Sequence, residues 1–225
     1  MPILSALFLL LVALAQGSAA ELQSVEADGA AFKVTMSDGK VLRSPDLVGA
    51  TLTIATAGGT LRVRIDAVER DPDAVKGEVW LHTFSTQAAN GSWHNMCNPG
   101  PDGRRQGFPI AGRAGRSDGA IEPAEPGTFE LTCTGGARGK CLRFGYLPWP
   151  DAAARDLYNA CVRMVRADYC GRGDGTTRNG MLIDIADDFG IQEFEHDPSL
   201  DFEAGWSKGG AVCVRHVRVK ENISL

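Results

Sequence analysis

Six cysteines, four histidines and a scatter of carboxylates hold whatever chemistry this chain performs. The cysteines are Cys97, Cys133, Cys141, Cys161, Cys170 and Cys213, all in the second half. A metal site would need closely spaced pairs such as C-x-x-C, and none occurs, so no metal ligand set is assigned. An even count in an exported chain reads instead as a disulfide framework. Six cysteines allow about 15 pairings, and spacing alone does not choose among them. The histidines are His82, His94, His196 and His216, and none stands in an H-E-x-x-H or similar arrangement. His94 follows Trp93 in a Gly/Asn-rich stretch beside Cys97, where a cystine would pre-position it. His216 falls in an alternating run and reads as structural. A Cys–His nucleophile pair would need a free thiolate, which cystine formation removes.

Asp168 and Tyr169 lie between Cys161 and Cys170 and end just before Gly171. A carboxylate and a phenol side by side suit recognition, although a carboxylate beside glycines also caps turn amides and a buried phenol needs only a tether. Trp93, Trp149 and Trp206 sit near turns, and with His94, Asp168 and Tyr169 they form a candidate groove for a protein, peptide or carbohydrate. A hydrolase would have to assemble acid and base from distant positions, and His94, Asp168 and Glu203 are the candidates. The stretch Arg172–Gly180, with Asp184, Asp187 and Asp188, is rich enough in oxygen to suggest calcium, but it lacks EF-hand spacing. No G-x-S-x-G and no P-loop is present. Thr134–Gly139 lacks the Lys-Ser/Thr ending of a phosphate loop and reads as a hairpin turn. No cofactor is implied.

The elements that must carry these residues are mostly strands. Phe32–Met36 and Val41–Arg43 flank an Asp-Gly turn, a strong hairpin signal. Thr51–Thr56 and Leu61–Ile65 flank Ala57-Gly58-Gly59, with Leu61, Val63 and Ile65 facing one side. Val79–Phe84, Phe129–Cys133, Cys141–Tyr146 and Ala211–Val219 read as further strands. Gly107–Ala111 reads as an edge strand, because Pro109 cannot donate to a ladder. One main helix is expected over about 152–168, capped by Asp151, with Leu157, Cys161, Met164 and Val165 along one face. Ile183–Phe189 suggests a short second helical turn. Cys161 and Cys170 would stand roughly 13 Å apart along a continuous helix, beyond the reach of a disulfide, so each is expected to tie the helix region to something else. The fold class is therefore α+β, mainly antiparallel, with one main helix stapled by cystines.

Residues 1–20 read as a leader. Ile3–Ala15 is apolar but short for a bilayer span, and Ser18-Ala19-Ala20 places a cut before Glu21. The n-region carries no Lys or Arg. Residues 21–90 form a β-rich region and 91–220 hold the cysteines, the two together making one compact unit. The net charge of −5 speaks against a general nucleic-acid binder. No second long apolar run follows, so no membrane span is expected once the leader is removed.

The ordered motifs also resemble a known family. Cys161–Gly171 is similar to the signature of the ADYC domain family, named for the tetrapeptide seen here as Ala167-Asp168-Tyr169-Cys170. Trp93-His94-Asn95 with Cys97, Leu131–Thr134, Gly139–Cys141, Phe144–Tyr146 with Pro148-Trp149, Thr177–Gly180, Phe202–Trp206 and Ala211–Cys213 resemble it too. The resemblance spans roughly Gly49 to Val219. It implies a bacterial exported protein, periplasmic or secreted, and carries over no catalytic residue. The expected function is a cystine-stabilised binding or interaction module, with a secreted hydrolase as the alternative.

Overall fold

The computed structural model describes residues 20–115, 119–194, 197 and 199–223. The leader read in residues 1–20 lies outside them except for Ala20, and so does His196. Three strands, β1 (Leu22–Asp28), β2 (Ala31–Met36) and β3 (Val41–Arg43), form an antiparallel sheet in that order. The β2–β3 turn is the expected one: Met36 N–H donates to the Lys40 carbonyl at 2.9 Å, and Gly39 takes φ +84°, which a residue with a Cβ rarely adopts.

The larger sheet runs β11 (Phe129–Cys133), β8 (Gly107–Ala111), β6 (Trp80–Gln87), β5 (Gly59–Arg70) and β4 (Thr51–Thr56), with β7 (Trp93–Asn95) also paired to β6. It therefore crosses residue 90. In β5, Val63 and Ile65 are fully buried against Phe32 and Phe84, the face that alternation selects. β8 lies inside the strand order, but it meets β6 only at the pair His82–Gly107. Pro109 therefore needs no donor on that side, and its pairing partner on β11 is Leu131. Two short hairpins complete the strands: β9 (Arg113–Ala114) with β10 (Ile121–Glu122), and β12 (Ala204–Ser207) with β13 (Gly210–Val214).

Three expectations need correction. Residues Cys141–Tyr146 are not a strand, because Ala137–Arg143 forms a helix, α1, and the preceding glycines enter it rather than turn a hairpin. Gly139 permits this: a Cβ there would stand 2.2 Å from the Cys133 carbonyl oxygen, so the glycine lets α1 close onto the end of β11. Ile183–Phe189 holds no helical turn, because Asp187 organises that stretch through its side chain. The closing strand stops at Val214, since β13 has only β12 as a partner.

The main helix, α2 (Ala152–Arg166), starts as the sequence indicates. Asp151 caps it by accepting the Ala154 amide at 2.8 Å. It ends at Ala167, which takes the left-handed conformation at φ +52°. Two cystines form. Cys141–Cys161 joins α1 to α2, and Cys97–Cys133 joins the loop after β7 to the end of β11. Tyr158, Val162 and Val165 of α2 pack with Leu142, Phe108 and Ile110 in a second buried cluster. Cys170 and Cys213, expected within the cystine framework, are exposed free thiols.

Candidate functional site

The tetrapeptide after α2 is a helix terminus locked from four sides. Ala167 is completely buried, and its left-handed turn ends the helix. Asp168 is also completely buried. Its carboxylate receives Arg163 Nη1 at 2.7 Å and the amides of Arg172 and Gly173 at 3.1 and 2.8 Å. Arg163 donates its Nε to the Lys208 carbonyl at 3.0 Å, which ties the helix to the turn between β12 and β13. The Tyr169 hydroxyl donates to Glu203 Oε1 at 2.7 Å and accepts the Arg218 amide at 2.6 Å. Burial, reinforced by the adjacent Glu203 carboxylate, pushes the Tyr169 phenol up to about 12. Cys170 then points outward.

Beside this terminus lies a cleft of about 660 Å³, walled by α2 on one side and by residues 181–194 and 199–206 on the other. Leu157, Ala160 and Met164 of α2 contribute its floor, and Trp206 of β12 closes one end. Tyr169 packs behind Trp206, ring centroids 5.0 Å apart and ring planes tilted by 33°. Large apolar side chains on the opposite wall stand unusually open: Leu182 is 75% exposed, Phe189 66% and Phe194 64%. Scattered exposed leucines are ordinary, but apolar groups converging on one hollow mark a binding surface.

The polar lining is mostly occupied. Asp187 accepts the Tyr146 hydroxyl at 2.8 Å and the amides of Phe189, Ile191 and Gln192. Burial raises its affinity for a proton, yet these four donors outweigh that and hold its carboxyl below the ordinary range. Glu203 receives Arg218 Nε at 2.9 Å in addition to Tyr169. Arg218 is further fixed by the carbonyls of Met164 and Val165. Asp184 differs, because its Oδ2 is buried and finds no hydrogen-bond partner among the described residues.

The six residues of the expected groove divide among four places. Trp206 lines the cleft, and Tyr169 supports it from behind. Asp168 is interior and its oxygens are spent on the helix terminus. Trp93 lies on β7 under two guanidinium groups, with Arg64 Cζ 4.6 Å and Arg62 Cζ 5.8 Å from its ring centre. His94 is exposed beside it and bonds Ser92 Oγ at 2.7 Å. Trp149 lines a separate, shallower hollow with Pro148, Arg155 and Glu26.

No hydrogen bond joins any two of His94, Asp168 and Glu203 among the described residues. The oxygen-rich stretch after Gly171 does not gather into a cation cage either. Among the described residues no three of its kind of side chain converge, and Asp187 is committed to its own loop. The cleft wall at 181–194 escaped sequence reasoning because its apolar residues follow no period. The signal was compositional: Met181-Leu182-Ile183, Ile185, Phe189, Ile191 and Phe194 recur inside a stretch otherwise made of Asp, Ala, Gly, Gln and Glu.

Comparison with protein-family models matches residues 44–220 to the ADYC domain. No curated protein and no solved structure matches the chain.

Proposed function

The chain belongs to the ADYC domain family, and from that footing we propose that it is an exported, non-catalytic binding module whose cleft between α2 and residues 181–194 and 199–206 holds a small, largely apolar ligand. The observation that carries this reading is the convergence of exposed Leu182, Phe189 and Phe194 on a hollow of about 660 Å³. That volume lies within the range of small-molecule sites, roughly 300–1,000 Å³. It is lined by apolar side chains with a few fixed polar groups, as such sites are. Trp206 supplies an aromatic side chain to the lining and is backed by Tyr169.

Export is supported by the leader in residues 1–20 and by two closed cystines, which persist in oxidising compartments. No helix among the described residues is long and apolar enough to cross a membrane. A periplasmic or extracellular location is the consequence. A hydrolytic role would need His94, Asp168 and Glu203 to act on one another, and among the described residues no hydrogen bond joins any two of them.

The test uses N-phenyl-1-naphthylamine, a neutral apolar dye at pH 7 that brightens in dry pockets. Saturable binding to the mature protein is expected. Ala160→Phe fills the cleft from its α2 floor and should weaken binding at least tenfold, with an unchanged melting temperature. Saturable binding that Ala160→Phe leaves intact, or no binding by the wild type, overturns the reading.

A further inference from the structure

We propose that a second hollow, on the far side of α2, binds a phosphate group through Arg138 and Arg166. It holds about 230 Å³ between α1, α2 and Gly119, and its lining includes Thr132, Gly136 and Val162. That is below the range of drug-sized sites, roughly 300–1,000 Å³, and suits one small oxyanion. No carboxylate lines it, in a chain where acidic residues outnumber Lys and Arg by 28 to 23. Val162 and Arg166 stand one turn apart on α2, on the opposite side of the helix from Ala160 and Met164, which line the apolar cleft. The inference therefore does not rest on the cleft reading.

Both guanidinium groups are anchored and still open. Arg138 donates Nε and Nη2 to the Gly119 carbonyl at 3.1 and 2.6 Å. Arg166 donates Nη2 to the Gly173 carbonyl, while its Nε is enclosed and takes no part in the site. Nη1 of each side chain has no hydrogen-bond partner among the described residues, and neither Nη1 is sealed from solvent. Thr132, nearly buried on β11, adds a hydroxyl that is likewise unbonded and not sealed. Their neighbours on the same helices behave differently: Arg143 of α1 meets Asp71, and Arg163 of α2 meets Asp168. Arg138 and Arg166 meet no carboxylate among the described residues, so their charge is left for a ligand. A phosphate accepts from several directions at once, and guanidinium donors match its oxygens with charge-assisted bonds. Because both side chains are already held, little further ordering is needed on binding.

Three probes decide it: sodium phosphate, phenyl phosphate and, as a carboxylate control, sodium benzoate, titrated calorimetrically into the mature protein at pH 8 and low ionic strength. Phosphate is expected to bind saturably at one site, about tenfold or more tighter than benzoate. Phenyl phosphate binding at least as tightly as phosphate supports the inference with a phosphate ester as the source, and much weaker phenyl phosphate supports it with the free ion. Arg138→Gln and Arg166→Gln should each weaken phosphate by about tenfold or more, the loss of one charge-assisted hydrogen bond. In the wild type, where no variant has to fold, phosphate should shift the amide resonances of Gly119, Gly136 and Arg138 and leave those of Leu182 and Phe189 in place. Absence of saturable phosphate binding overturns the inference. So does binding that both variants leave intact, or resonance shifts confined to other parts of the chain. Each of these failures leaves the apolar cleft untouched, since its dye titration is read separately.

Discussion

Asp168 stabilises a junction rather than a reaction. Its carboxylate joins Arg163 on α2 to the amides of Arg172 and Gly173, and both charged groups are sealed from solvent, each with about 1% of its side chain exposed. Removing one half of such a pair strands desolvated charge. Asp168→Ala should therefore lower stability by about 3–5 kcal/mol, read from urea unfolding. Replacing Asp168 and Arg163 together by apolar residues of similar volume should cost less than Asp168→Ala alone. A double variant worse than the single would show that the terminus depends on the charges themselves. His82 is the second residue whose burial has a measurable consequence. It is fully enclosed, bonded to Ser44 Oγ at 2.8 Å and stacked on Phe84. Burial, only partly offset by contacts with the Gly107 and Trp80 backbone, pushes its imidazolium down to about 4 from 6.5. Above pH 6.5 neither folded nor unfolded chain carries this charge. Between 6.5 and about 4 the unfolded chain gains a proton that the folded one refuses, so stability falls as pH falls, by about 3 kcal/mol in total. Urea midpoints should drop across that window in the wild type. His82→Gln keeps a polar group near Ser44 without a titrating ring, and its midpoints should drop by visibly less.

The elements divide the cysteines into two chemical classes. Cys97, Cys141 and Cys161 are buried, and with Cys133 they close two cystines that tie loop to strand and α1 to α2. Cys170 and Cys213 are exposed at the helix terminus and on β13. Mild reductant followed by an alkylating reagent, without denaturant, should label Cys170 and Cys213, with the other four labelled only after unfolding. Early labelling of Cys141 or Cys161 would mean that α1 and α2 separate readily. Cys141→Ser with Cys161→Ser opens a loop spanning 20 residues of sequence separation, and its loss should cost about 3 kcal/mol on loop-entropy grounds. The same elements show what was legible in the sequence. Hairpins with Asp-Gly or Gly-Gly turns and the capped, periodic α2 were readable because the signals are local. The helix α1 was not. It is short, contains Gly139, and follows a glycine run that reads as a turn, so its helicity comes from packing Cys141 and Leu142 into the core. Cys161 was correctly separated from Cys170 on helix length, but its partner Cys141 could not be chosen while that residue was read as a strand. Trp206 was picked out in the sequence as an aromatic residue near a turn, and it lines the cleft. Asp184 was not, because nothing in an Asp-rich run distinguishes the carboxylate whose Oδ2 is buried without a partner among the described residues.

At the scale of the molecule, two buried clusters share one sheet, and the cleft lies against the helix-side cluster, with which it shares Tyr146 and Cys161. One cluster joins β2 to β5 and β6 through Phe32, Ile65 and Phe84, and the other joins α1 and α2 to β8. Residues 171–203 carry no helix or strand where they are described, and irregular segments of such length in a compact domain usually serve a function. What fixes this one is a handful of bonds back to the body. Gln192 donates to the Phe144 carbonyl at 2.7 Å, Thr176 to that of Ala167 at 2.6 Å, and Lys76 to that of Gly190 at 2.6 Å. Asp187 holds the loop that carries Phe189 and also receives Tyr146. The cleft wall is thus anchored locally while the sheet holds itself, so the two should open independently. Asp187→Ala tests this separation. Amide exchange at residues 189–192 should speed up at least tenfold, exchange in β5 and β6 should stay as in the wild type, and the melting temperature should fall by only about 2–4 °C. Affinity for N-phenyl-1-naphthylamine should drop in parallel, because the wall that carries Phe189 is no longer held against α2. Equal acceleration across β5 and β6 would instead mean that wall and sheet unfold as one cooperative unit, and that the cleft cannot loosen to admit a ligand without the whole domain opening.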